Sequence, residues 1–94
     1  MPKDMKQRVA ALTPRLREIA RLISLGCTHD EAAAILGLSP NTVDNHKTRL
    51  MKALGTDKST LLVRMAIKYG LSSIDDKLTA TEMRRSGRKG DGWN

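Results

Sequence analysis

Apolar residues recur at helical spacing between Ser39 and Gly55. At about 100° per residue, three aliphatic side chains fall on one narrow stripe. These are Val43, Leu50 and Leu54. Ser39 followed by Pro40 is a typical helix start, because serine caps the first turn and proline suits the first helical position. Gly55 suits the left-handed position that ends many helices. The pattern therefore predicts a helix over residues 40–54 with one buried face.

The opposite face of this predicted helix carries short polar side chains and one cation: Asn41, Asp44, Asn45, Thr48 and Lys52. Asparagine, aspartate and threonine can all hydrogen-bond to base edges in the major groove of DNA. Lys47 and Arg49 flank this face, where a helix lying in a groove meets phosphates. These features indicate a DNA recognition helix. Considered alone, the segment fits a solvated amphipathic surface helix equally well.

Two more helices are predicted before this one. The first covers about 14–25 after a Thr13 cap, and the second covers 29–36 after Thr28, with Glu31 in the capping-box position. Only a short glycine-containing turn separates the second helix from the third. A short helix, a tight turn and a longer helix with a polar outer face form the helix-turn-helix arrangement, whose last helix enters the major groove. This context favours DNA binding over the solvated surface helix.

A last helix is predicted from a Ser59 or Thr60 cap to about Tyr69. Most of its apolar side chains form one arc that suits packing on the other helices, but Val63 and Ile67 fall outside that arc. Singly exposed apolar residues are normal, so one interpretation gives this pair no function. The other is a seam for self-association, which we expect because paired units on two DNA half-sites gain affinity and specificity.

The ends of the chain are predicted to lie outside a domain that covers residues 12–71. Residues 1–11 are expected to form a flexible or helical arm. Residues 72–94 are polar, charged and glycine-containing, which predicts a disordered or weakly helical tail. A docked helix is the alternative if Leu78 and Met83 find a partner surface.

Composition restricts the partners of this chain. The 94 residues include 17 Lys+Arg against 10 Asp+Glu, a formal net charge of +7 that favours an anionic partner. No apolar run approaches the roughly 18 residues of a membrane-spanning helix, and the N-terminus lacks the apolar core of a signal peptide. We therefore expect a cytoplasmic protein with no membrane partner. Aromatic residues make up 2% of the chain, which argues against binding of single strands by stacking.

Enzymatic chemistry is not indicated. The chain has two histidines and one cysteine, Cys27, without a metal-ligand spacing, and no glycine-rich phosphate loop precedes a helix. We expect no enzyme activity, no metal, no cofactor and no small-molecule substrate. Cys27 has no second cysteine with which to form an intramolecular disulfide.

Several short motifs occur in a characteristic order: Leu12-Thr13-Pro14-Arg15, Gly26, Glu31-Ala32-Ala33, Leu36-Gly37-Leu38-Ser39, Thr42-Val43, Asn45-His46 and Leu54-Gly55. With these motifs the chain resembles the LuxR-type helix-turn-helix domain of quorum-sensing and two-component response regulators, over about residues 12–71. The resemblance implies an all-α, four-helix domain in the bacterial cytoplasm, at the nucleoid. It also implies that the third helix reads double-stranded DNA and that the fourth forms a homodimer contact.

Carried over by position, the resemblance implies base contacts from Asp44, Asn45 and Thr48. Contacts with the DNA backbone are expected from a second set: Asn41, Thr42, Lys47, Arg49, Lys52 and Lys58. The family often has a basic residue where this chain has Asp44, which leaves the preferred base sequence open. Family members also usually carry a receiver or ligand-binding domain ahead of this one, so the chain is either a minimal regulator or a fragment. A protein-interaction module that contacts RNA polymerase or another regulator without reading DNA is the alternative function.

Overall fold

The computed structural model describes residues 4–90, and within that range the chain forms six α-helices and no strand. The helices are α1 (Met5–Ala10), α2 (Pro14–Ser24), α3 (His29–Leu36), α4 (Pro40–Leu54), α5 (Ser59–Lys68) and α6 (Ala80–Ser86). The predicted all-α class is confirmed, and α2 to α5 are the four helices that the sequence predicts. The ends of the predicted arm and tail, residues 1–3 and 91–94, lie outside the described residues.

Side-chain caps fix where α2, α3 and α4 begin. Thr13 Oγ1 accepts a hydrogen bond from the Leu16 N–H at 3.2 Å, and this bond starts α2. Thr28 and Glu31 form a complete capping box at α3, with hydrogen bonds of 3.1 and 2.9 Å. The observed starts of these three helices agree with the predicted starts, because a cap depends only on residues within one turn of it.

The predicted cap of α5 is wrong. Lys58 occupies the N-cap position of α5, and no side chain there accepts a hydrogen bond from the first turn. Ser59 is already the first residue of the helix, and Thr60 is the second. Because both residues lie within the first turn, their hydroxyls are not at the N-cap position, from which a side chain accepts a hydrogen bond from the N–H groups of that turn.

The core lies where α4 and α5 pack against α2, and where α3 packs against α4. Val43, Leu50 and Leu54 have no solvent exposure, as the stripe on the predicted helix requires. Large side chains from the neighbouring helices complete this cluster: Ile19 and Leu22 of α2 and Leu62 of α5. Burying a side chain of this size stabilises the fold by about 1.5–3 kcal/mol relative to leaving it exposed. The cluster therefore fixes the rotation of α4 about its own axis.

Both ends of the described chain add a helix to the predicted four. The arm is helical at α1, which packs on α4. The disordered alternative for the tail does not hold for residues 72–90, because Leu78 is buried and α6 packs on α3. Thr79 and Glu82 form a second capping box at the start of α6. The tail therefore contains the docked helix that was predicted as the alternative for residues 72–94.

Two arginine–glutamate contacts tie α6 to the rest of the fold. Arg21 of α2 donates to Glu82 Oε2 at 2.8 Å and to Asp76 Oδ2 at 2.8 Å. Arg88, which follows α6, donates from Nε to Glu31 Oε2 at 2.6 Å. Each glutamate caps its own helix through Oε1 and accepts from the arginine through Oε2. This charged segment is ordered because Asp76, Glu82 and Arg88 are paired, the first turn of α6 is capped and Leu78 is buried.

These contacts lower the pKa of both glutamates. The hydrogen bond from Arg88 is the largest cause at Glu31, and the Thr28 backbone adds to it. At Glu82, burial opposes ionisation, but the hydrogen bonds from Arg21 and Thr79 outweigh it and hold the pKa below its ordinary value. The pKa of Arg21 is raised, chiefly by its hydrogen bond to Glu82. The ionised form of each carboxylate therefore stabilises the folded state.

We expect the free energy of unfolding to fall as the solution is acidified below about pH 4.3, the ordinary glutamate pKa. Because the folded-state pKa of Glu31 and Glu82 is lowered, their contribution is complete above that pH and is lost as pH falls through the folded-state value. Urea unfolding followed by circular dichroism from about pH 7 to pH 3 checks this.

In the same experiment Glu31→Gln should lower the stability at neutral pH by about 1–3 kcal/mol and reduce the acid dependence. Glu18→Gln is the control, because Glu18 forms an exposed ion pair with Arg15 at 3.4 Å. Equal acid dependence in the wild-type chain and in Glu31→Gln would contradict the role assigned to Glu31.

Candidate nucleic-acid interface

The turn between α3 and α4 presents α4 at the surface. Gly37 ends α3 with a φ of 70°, a left-handed conformation that favours glycine. Ser39 Oγ then accepts a hydrogen bond from the Thr42 N–H at 3.1 Å and starts α4. Pro40 occupies the first helical position, where its missing N–H has no intrahelical partner to lose. The two helices and their turn form the helix-turn-helix arrangement.

The side chains predicted to face DNA share the exposed side of α4: Asn41, Asp44, Asn45, Thr48 and Lys52. They lie opposite the stripe that the core buries. The structure therefore brings the three predicted base-contacting residues together on one open surface. This surface is called the α4 polar face below.

Hydrogen bonds within α4 define what this face offers to a ligand. Thr48 Oγ1 donates to the Asp44 main-chain oxygen at 3.1 Å. Thr48 therefore presents its methyl group and the lone pairs of its hydroxyl, but not the hydroxyl hydrogen. Thr42 is half-buried, and its Oγ1 lies 2.8 Å from Ser39 Oγ. Thr42 thus belongs to the cap of α4, beside the polar face.

In the part of the chain that the structure describes, the cations around α4 have no acidic partner on another helix. Among residues 4–90, no ion pair involves Lys47, Arg49 or Lys52, and Lys58 lies 4.0 Å from its exposed neighbour Asp57. Lys47 is half-buried, and the others are exposed. By contrast, Arg21 and Arg88 on the α6 side are paired with carboxylates. The positive charge of Lys47, Arg49 and Lys52 is therefore available to an anionic ligand.

Two residues near α4 were not predicted as part of a site. His29, the first residue of α3, places Nε2 3.8 Å from Asp44 Oδ1. Arg8 of α1 crosses the end of α4, where a side chain at Gly55 would collide with its guanidinium group. The only feature of the sequence that indicated the His29–Asp44 contact was the position of His29 just after the Thr28 cap. Nothing in the sequence indicated the approach of Arg8 to Gly55, because it depends on how α1 packs on α4.

The predicted self-association residues lie in an apolar groove on another side of the molecule. Val63 and Ile67 are half-buried in the single chain. They line a groove of about 350 Å³ together with Leu25 and Ile74. Ile74 is 56% exposed and was not among the predicted seam residues.

Other kinds of site receive no support from residues 4–90. No group of three or more His, Cys, Asp or Glu side chains in this range is arranged to hold a metal ion. Burial raises the pKa of the Cys27 thiol to about 11, so the thiolate is disfavoured. None of the six helices has the length and apolar character needed to cross a membrane.

Comparison with known proteins gives similarity over the helix-turn-helix region. Residues 10–66 match the family model described as bacterial regulatory proteins, luxR family. The transcriptional regulatory protein MctR of Rhizobium johnstonii is 39% identical over 62 residues, which are 66% of this chain and 29% of MctR. The transcriptional regulatory protein FixJ of Azorhizobium caulinodans is 30% identical over 73 residues, which are 78% of this chain and 35% of FixJ.

A third relative is the uncharacterized response regulatory protein YgeK of Escherichia coli K12. It is 38% identical over 63 residues, which are 67% of this chain and 43% of YgeK. The chain thus spans less than half the length of each of these three relatives. No solved structure matches the chain significantly.

We expect Ser39→Ala to lower the free energy of unfolding by about 0.5–2 kcal/mol, because it removes the acceptor for the Thr42 N–H. Thermal or urea unfolding measures the change. Ser59→Ala is a matched control, since Ser59 lies inside the first turn of α5 and caps nothing. A similar loss in both variants would show that the Ser39 hydroxyl is not a specific cap.

Proposed function

The chain belongs to the luxR family of bacterial regulatory proteins, and from this premise we propose that it regulates transcription by binding double-stranded DNA sequence-specifically. In this proposal α4 lies in the major groove with its polar face toward the base edges. The observation that carries the proposal is the geometry of α4: the apolar stripe is fully buried, and the side chains suited to base contact are exposed. The DNA partner locates the protein in the bacterial cytoplasm, at the nucleoid.

Asp44, Asn45 and Thr48 are the proposed base contacts. The Asn45 amide both donates and accepts, which suits the two adjacent groups on adenine. The Asp44 carboxylate accepts from an amino group such as cytosine N4. Thr48 suits the thymine methyl group, because its hydroxyl hydrogen is already donated to the Asp44 main chain. The three side chains differ in what they bind, so each helps to specify the sequence.

The proposed contacts with the DNA backbone surround this set: Asn41, Thr42, Lys47, Arg49, Lys52 and Lys58. Phosphate contacts fix the position of a protein on DNA and supply affinity that falls with salt. Lys47, Arg49 and Lys52 have no ion pair within residues 4–90, which supports this role because no carboxylate there neutralises their charges.

We propose further that the protein binds as a homodimer through α5. Val63 and Ile67 form the seam, and the adjoining Ile74 extends its apolar surface. One helix-turn-helix unit contacts few base pairs, whereas two units on half-sites about 34–36 Å apart read twice as many. A symmetric interface of this kind predicts a palindromic site.

The exposed Asp44 carboxylate favours one second candidate function. A negative charge on the α4 polar face is repelled by DNA phosphates but suits a basic protein surface. The chain would then contact RNA polymerase or another regulator through this face without reading DNA. A partner whose binding persists in excess duplex DNA would support this candidate, and competition by DNA would count against it.

Selection of bound duplexes from a random pool tests the proposed function directly. We expect a defined, palindromic sequence to be enriched, with binding that weakens as salt increases. Failure to enrich any duplex at low salt would reject sequence-specific DNA binding.

Two variants distinguish base recognition by Asn45 from electrostatic attraction of phosphates by Lys47. Asn45→Ala should cost about 1–3 kcal/mol on the selected duplex and relax the preference at one base position. Lys47→Ala should weaken all duplexes alike and reduce the slope of log affinity against log salt by about 0.9. Fluorescence anisotropy across a salt series measures both. Lys77→Ala, which removes an exposed charge between α5 and α6, is the control, and an equal effect there would contradict the assignment of Lys47.

Ile67→Glu should weaken self-association and abolish cooperative binding to a palindromic duplex, because a charge cannot be buried unpaired in the seam. Sedimentation and anisotropy measure the two effects. Leu61→Glu is the matched control on the same helix, since Leu61 is 41% exposed and lies outside the groove. Unchanged self-association in Ile67→Glu would exclude this seam.

A further inference from the structure

The side chains of His29 and Asp44 lie close together across the turn of the helix-turn-helix unit. His29 Nε2 lies 3.8 Å from Asp44 Oδ1, and the two side chains are 39% and 54% exposed. His29 begins α3, whereas Asp44 lies on the polar face of α4. The pair therefore stands at the edge of the surface proposed to face DNA. It also joins the two helices that the turn connects.

Asp44 is an electrostatic problem for a DNA-binding surface. Its carboxylate accepts hydrogen bonds only, and nearby phosphates repel it. A protonated imidazole at this distance would cancel its charge while leaving Oδ2 free to accept from a base amino group. Histidine is the side chain whose charge commonly changes between about pH 5 and pH 8. The phosphates of a bound duplex favour the protonated imidazole, so DNA binding and proton uptake at His29 would reinforce each other.

Several charged groups on the surrounding helices have other partners. Asp44 is the only carboxylate within 4.0 Å of the His29 imidazole among residues 4–90. On α6 and just after it, Arg85 donates to the Ile35 main-chain oxygen and Arg88 binds Glu31. The nearest charged residues on α3 itself are Asp30 and Glu31, and α2 contributes Arg21, which pairs with Asp76 and Glu82. Lys47 is the cation that follows Asp44 on α4.

We propose that His29 and Asp44 act as one base-reading unit, in which the protonated imidazole positions and neutralises the Asp44 carboxylate against the DNA. His29 is thus a positioning residue for specificity, and it makes DNA affinity depend on pH. This inference rests on the proposed function and adds to it a residue outside α4.

The test measures binding of the duplex selected by the wild-type protein, from about pH 8 to about pH 5.5. Wild-type affinity should increase toward the lower pH. His29→Ala should weaken binding about fivefold at the lower pH, between the small effect of an exposed ion pair and the larger coupling of an interfacial pair. It should also flatten the pH profile and weaken the base preference opposite Asp44.

A double-mutant cycle isolates the coupling between the two side chains. In the Asp44→Asn background, His29→Ala should have little effect on affinity. In the wild-type background, His29→Lys should bind more tightly than His29→Ala, and its affinity should not depend on pH. His46→Gln is the control for the other histidine and should keep the pH profile. Circular dichroism establishes that each variant is folded.

Two outcomes would overturn the inference. Equal effects of His29→Ala in the wild-type and Asp44→Asn backgrounds would show that the residues act independently. If the pH dependence of DNA affinity is lost in His46→Gln but kept in His29→Ala, His46 and not His29 is responsible for it. In both cases the protein still binds its duplex and the proposed function stands, whereas a wild-type protein that binds no duplex at any pH would reject both proposals.

Discussion

The burial of one stripe of α4 is the constraint on which the rest of the structure depends. Val43, Leu50 and Leu54 are fully buried against side chains of α2 and α5. An α-helix repeats every 3.6 residues, so burying this stripe turns Asn45 and its neighbours toward solvent. A rotation of α4 would expose three large aliphatic side chains and bury polar ones. The same buried stripe therefore stabilises the fold and orients the proposed base-contacting surface.

The distribution of charge follows from how the helices pack around this core. Arg21 and Arg88 form ion pairs with Glu82 and Glu31, and these contacts hold α6 and the residues after it against α2 and α3. The cations beside α4 make no comparable contact in the described chain. The charge of these cations is therefore left for a ligand. A binding surface for a polyanion needs such unneutralised charge beside the elements that contact it.

The contact between His29 and Asp44 shows how tertiary structure changes the meaning of one residue. On the predicted recognition helix, Asp44 is a proposed base contact whose charge phosphates repel. In the structure its Oδ1 lies 3.8 Å from His29 Nε2, so a residue of α3 can act on this proposed contact. The functional interpretation of α4 therefore depends on the helix that precedes it as well as on its own sequence.

Local signals in the sequence determined the bounds of α3 and α4, the start of α2 and the buried stripe of α4, because caps and helical periodicity involve residues within a few turns. They failed at the cap of α5, where the helix begins at Ser59 instead of after it. The docking of α6 was decided by tertiary structure alone: Arg21 and Glu82 are 61 residues apart, and Arg88 and Glu31 are 57 apart. No local pattern can show that such distant charges meet, since their pairing exists only after the core has placed the helices side by side.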